Sequence, residues 1–215
     1  MKKTLFTALA LGAMVQISSA AVSVTGTNYS TPLGSAGIAI TDNAGAVLAA
    51  GAGSMSIAFG NFNAIDFNTA DGTAVAAAFN QNGGAGGANP AFGGVFNTTV
   101  GDAATSLDSS DSFTGTNIFI VIGNAATFAG STDFIVYDSG TAWPEEVAVV
   151  GASVTVETYS GSLLYGTTTN TSSAAGPFAY LNGTPGVTFG QQIPEPSSSL
   201  LFGAAGLALL IRRKR

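Results

Sequence analysis

Apolar residues along this chain gather in short runs, rich in β-branched and aromatic side chains and closed off by Gly, Asn, Asp or Pro. Runs of that kind suit strands, because branched and aromatic side chains sit well on a pleated surface. The clearest are residues 116–123, 133–137 and 147–158, with weaker ones at 37–41, 55–60, 162–165 and 186–189. Two Ala-rich stretches, 44–50 and 73–79, resist a strand reading, and the second has the length of one or two helical turns. At most one short helix is therefore expected. The Gly-rich stretch 82–90 reads as an irregular, mobile loop, and it lacks both the Lys and the spacing of a phosphate-binding loop. Short strands parted by turn residues predict a mainly β domain over residues 21–190, an antiparallel β-sandwich, jelly-roll-like or a partly closed barrel.

Both ends depart from that pattern. Lys2 and Lys3 precede an apolar run from Leu5 to Val15, and Ser18, Ser19 and Ala20 follow, which is the order of a secretory signal peptide. Small side chains at the first and third positions before the cut place signal peptidase cleavage after Ala20, with Ala21 the next choice, so residues 1–20 are expected to be removed. At the other end, residues 191–215 contain a linker, Pro194, Glu195 and Pro196, an uncharged segment over 197–211, and the tail Arg212, Arg213, Lys214 and Arg215. The uncharged segment predicts a short transmembrane helix, since a spanning helix usually needs about 20 apolar residues. Cations directly after it act as a stop-transfer tail on the cytoplasmic side and leave everything before Pro194 outside.

Charge sharpens the picture. Charged residues make up 8% of the chain, where about 25% is usual. All six basic residues lie at the ends (Lys2, Lys3 and the tail) and there is no His, so residues 21–192 hold no cation. Of the 12 Asp and Glu only Glu195 falls outside that span, which leaves it with eleven carboxylates. Nucleic acid is excluded as a partner, because phosphates need Lys or Arg to neutralise them. General acid–base work by His, Schiff-base chemistry by Lys and Cys nucleophiles are excluded there too. The chain has no Cys, so neither a disulfide framework nor a lipoprotein anchor is available and the exported fold rests on packing and hydrogen bonds.

Ile193, Pro194, Glu195 and Pro196, a short hydrophobic helix and an Arg-rich terminus at the end of an exported chain resemble the PEP-CTERM sorting signal. The resemblance implies recognition by exosortase, a membrane-embedded cysteine protease or transpeptidase that cuts near the Pro-Glu-Pro element. It implies a protein held at the inner membrane by its C-terminal helix before processing, then released to the cell surface or extracellular matrix of a Gram-negative bacterium. Two prolines suit such a role, since they remove backbone donors, forbid helix and hold the segment extended within reach of a protease. Residues 117–124 and 131–139, followed by Trp143 and Pro144, are similar more loosely to exported PEP-CTERM proteins of verrucomicrobial type, a likeness to which no activity attaches.

Candidate chemistry in the central span is sparse. Asp66, Asn68 and Asp71 before Gly72 carry oxygen ligands of the kind Ca²⁺ takes, without the closing bidentate Glu of an EF-hand loop, and read otherwise as an Asx-rich turn. Asp102, Asp108 and Asp111 fall in a Ser/Thr-rich loop that keeps the surface solvated. Glu145 and Glu146 make a carboxylate pair, but neighbours on a strand point to opposite faces. Trp143, Tyr137, Tyr159, Tyr165 and Tyr180 offer faces for stacking sugars or for filling a core. Asn28, Asn97, Asn170 and Asn182 open Asn-x-Ser/Thr sequons, which a chain so rich in Asn and Thr contains by chance.

These readings lead to an exported, exosortase-sorted surface or matrix protein that is not an enzyme and needs no metal or other cofactor. Its expected partners are signal peptidase, exosortase, the membrane and exopolysaccharide. A carbohydrate-binding or calcium-dependent adhesive module is the alternative, and a hydrolase built only from carboxylates is the remote one.

Overall fold

The computed structural model describes residues 22–30, 32–51, 53–101, 113–144 and 153–190. Ala20 and Ala21, Asp102, Asp108, Asp111, Glu145, Glu146, residues 147–152 of the longest expected strand, and the whole of 191–215 lie outside those residues. The protein is mainly β: among the described residues 44% are strand and 11% helix, and most strand pairings are antiparallel. Among the described residues no helix is long and apolar enough to cross a membrane.

The strongest apolar run becomes the centre of the largest sheet. Strand β6 (Asn117–Gly123) lies in the middle of a five-stranded antiparallel sheet. Its neighbours are β3 (Ser56–Phe62) and β7 (Phe134–Ala142), and the edges are β4 (Phe79–Gly87) and β9 (Ser162–Tyr165). Side chains alternate across the pleat, so Ile118, Ile120 and Ile122 enter one core while Val121 and Phe119 enter another on the opposite face. A strand covered on both sides has no polar face to show, which is why residues 118–122 are continuously apolar.

The first core fills the space between this sheet and a three-stranded one. There β1 (Ser23–Thr27) lies between β5 (Asn97–Gly101), to which it is antiparallel, and β8 (Ser153–Glu157), to which it is parallel. Val24, Val100 and Val156 meet Ile57, Phe59 and Tyr137 across the layer. The second core lies on the far face under helix α1 (Gly72–Ala78), where Val75 covers Ala58, Val121 and Val136. A third sheet has β11 (Pro185–Thr188) between β10 (Thr167–Asn170), antiparallel, and the two-residue β2 (Ala39–Ile40), parallel. Beside it a third cluster gathers Tyr29, Ala39, Val95, Ala174, Phe178 and Leu181.

All seven expected strands have counterparts, and α1 is the short helix foreseen at 73–79. The stretch 82–90 is the clear correction: Asn82 to Gly87 are part of β4. Asn82 to Gly86 covers four steps where the partner strand covers only Phe59 to Ile57, so the surplus residues bulge out and Gly83 turns to a φ of 69°. Glycine in a strand weakens it but permits a bulge and close approach of another chain. Here a Cβ on Gly86 would run into the Thr98 side chain of β5, and one on Gly60 into the Asn80 carbonyl oxygen. The glycines that suggested a loop are what let β4 and β5 come together. Strands β1, β5 and β10 were not foreseen; they are short, Thr-rich and weakly apolar.

Candidate functional site

Each candidate of the central span that falls among the described residues has a definite place. Asp66 closes an Asx turn, its Oδ1 accepting from the Asn68 amide at 3.0 Å and from Asn68 Nδ2 at 3.1 Å. The Asn68 amide is the main reason its carboxyl is held below the usual carboxylate range, with the Asn68 side chain adding to it. Asp71 is the N-cap of α1, its Oδ1 accepting from the Ala74 amide at 2.8 Å. Among the described residues no group of three or more His, Cys, Asp or Glu is arranged to hold a metal ion. Cap geometry of this kind is worth about 1 kcal/mol. Asp71→Ala is therefore expected to lower stability by about that amount and Asp71→Ser to keep most of it, judged from urea midpoints. Both values should be the same in calcium and in chelator, and a calcium-dependent difference would restore the metal reading.

The five aromatics separate into two groups. Tyr137, Trp143 and Tyr165 are 1%, 3% and 3% exposed and belong to the two main cores, with Trp143 edge-on to Phe113 at 5.4 Å. Tyr159 and Tyr180 stay half-buried and line one groove of about 450 Å³. That volume falls within the range of about 300–1,000 Å³ for small-molecule sites.

Three segments build the groove. Residues 34–38 form one wall, tied down where Ser30 accepts the Ala36 amide on Oγ at 3.0 Å and donates its own amide to the Ala36 carbonyl at 2.9 Å. Asn28 fixes the base of that wall. It is fully buried, its Nδ2 donates to the carbonyls of Ile38 and Gly94, both at 2.9 Å, and its Oδ1 accepts the Phe96 amide at 2.8 Å. The first sequon is therefore a structural bracket. Asn97 and Asn170 are exposed at strand ends, and Asn182 spends its amide on both backbone groups of Ala174.

The second wall is the 3₁₀ helix Gly176–Leu181, followed by Thr184 and Pro185. Its Phe178 sits edge-on to Tyr29 at 4.9 Å and to Phe92 at 5.2 Å, so an aromatic cluster supports the groove from beneath. Tyr180 crosses to the first wall, its hydroxyl donating to the Ala36 carbonyl at 3.2 Å. Glycine is needed at 37, where a Cβ would press on Leu181 and on the Asn28 carbonyl. The third side is Tyr159, in the turn that follows β8 and is held by the Thr158 amide donating to Thr27 at 3.1 Å. Burial pushes the Tyr159 phenol up to about 12, and the Glu157 carboxylate beside it adds to the effect. Burial pushes Tyr180 upward as well. At neutral pH the groove thus presents two neutral phenols and backbone polar groups, with one carboxylate close by.

A family model described as the PEP-CTERM protein-sorting motif matches residues 192–215. The motif indicates an exported protein sorted by exosortase, with membrane-associated sorting in a Gram-negative bacterium. Curated proteins and solved structures gave no match.

Proposed function

We propose that this protein is a non-enzymatic component of the cell surface or extracellular matrix, delivered there by exosortase and resident among exopolysaccharide. The observation that carries the reading is a sorting motif at 192–215 joined to a β domain whose span has eleven carboxylates and no cation. In this reading residues 1–20 are the export signal, the 197–211 segment anchors the precursor until processing, and the sheets act as a sandwich-type module of verrucomicrobial type. A protein of this charge repels its copies and stays soluble once released. The test is cell fractionation: the protein should accompany the matrix fraction of wild-type cells and move to the medium in cells that make no exopolysaccharide. Unchanged partitioning would remove the exopolysaccharide link.

A second reading, a carbohydrate-binding module, is favoured by one observation: Tyr159 and Tyr180, both half-buried, share a groove. The calcium-dependent form of that reading has less behind it, since oxygens of Asp66 and Asp71 are already taken by turn and cap amides.

A further inference from the structure

We infer that the groove between residues 34–38 and the Gly176–Leu181 helix is a subsite for one residue of a neutral sugar, stacked on Tyr159 or Tyr180, with its hydroxyls meeting the polar groups of the two walls. The inference rests on the carbohydrate-binding reading and names its site. A pyranose has an apolar C–H face and a rim of hydroxyls. It needs an aromatic surface together with fixed acceptors and donors, a combination aromatic side chains with a polar tip supply. Tyr159 and Tyr180 come from segments far apart in the chain, yet are near enough for their phenols to influence one another. The lining adds the Ser35 and Thr184 side chains.

Charge decides between sugar classes. With no cation anywhere in residues 21–192 and Glu157 beside Tyr159, an anionic sugar meets only repulsion. A neutral one loses nothing on that account. The walls are also preformed. The Ser30 and Asn28 hydrogen bonds hold residues 34–38, and the Phe178 cluster holds the helix, so little ordering remains to be done on binding.

The experiment is affinity electrophoresis of the exported protein purified from cells, in gels containing a soluble neutral glucan, a soluble neutral galactan or polygalacturonate. Retardation is expected with at least one neutral polysaccharide and not with polygalacturonate. Tyr159→Ala and Tyr180→Ala should each weaken it about tenfold, the scale of losing one stacking anchor. Tyr180→Phe keeps the ring and should stay within about threefold of wild type, which separates stacking from any loosening of the loop. Retardation that survives both Ala substitutions places sugar binding elsewhere and overturns the subsite while leaving the carbohydrate reading intact. Failure of the wild type in every neutral gel overturns both. Preference for polygalacturonate overturns the assignment of a neutral ligand.

Discussion

Replacing Glu195 by Ala will leave the protein unprocessed, so that intact-mass analysis of the membrane fraction finds Arg212, Arg213, Lys214 and Arg215 still attached. Wild-type protein from cells with a working exosortase will have lost that tail together with Met1 to Ala20. The expectation follows from the sorting motif matched at 192–215 and from the character of its three parts. Neither Pro194 nor Pro196 has an amide hydrogen and each disfavours helix at the residue before it, which suits a segment a protease must reach. Glu195 is the one carboxylate outside the central span and the only charged side chain of the motif that precedes the basic tail. Replacing it removes that charge and leaves both prolines in place. The charge of the product offers an independent readout, because loss of the tail removes four cations and should move the protein sharply toward the anode in a native gel. If wild-type protein keeps its tail, the C-terminal segment is a permanent anchor and sorting by cleavage does not occur.

Asn28→Ala is expected to destabilise the folded domain by about 3–5 kcal/mol, a large share of the 5–15 kcal/mol that holds most domains folded. The substitution strands the buried Phe96 amide and takes the side-chain donor from the half-buried Ile38 carbonyl, while the Gly94 carbonyl loses one of two donors and keeps the Ile40 amide. Each unpaired buried group costs about 1–3 kcal/mol, and the relaxed loop recovers part of that. Asn28→Asp should do at least as much harm, because it loses both donors and turns a carboxylate toward two carbonyl oxygens. Asn97→Ala and Asn170→Ala, at exposed sequon positions, should stay within about 0.5 kcal/mol of wild type. Urea midpoints with unchanged slopes would measure all four. A loss below about 1 kcal/mol for Asn28→Ala would mean that water replaces the side chain and that the bracket is dispensable.

What could be read in the sequence, and what could not, divides along physical lines. Residues 118–122 were legible because a strand buried on both faces leaves an unbroken apolar record. The helix at 72–78 was legible from its alanines, and Asp71 as its cap only once the helix was placed. Strand β4 was misread because its glycines serve a neighbour, Thr98 of β5, whose proximity depends on the fold as a whole. Strands β1, β5 and β10 escaped because their Thr-rich sequences give little hydrophobic contrast. At the groove, Tyr159 and Tyr180 stood out as aromatics among five, while nothing local marked them as the two that share a groove. Residues 34–38 carried no signal, since their contribution is backbone shape held by Asn28 and Ser30. The sorting motif was legible because its parts are contiguous in the sequence.

The parallel pairing of β1 with β8 has a consequence for how the chain reaches its folded state. The first strand to arrive outside must wait for one of the last before its sheet can close, and a topology dominated by such distant pairings folds on the order of milliseconds to seconds. During that interval Val24, Ile57 and Ile120 are uncovered, and no disulfide is available to trap a partial structure. Like-charge repulsion between chains of eleven carboxylates then opposes association of half-folded molecules. The acidic composition thus guards the chain through its slow closure as well as keeping the finished protein dispersed.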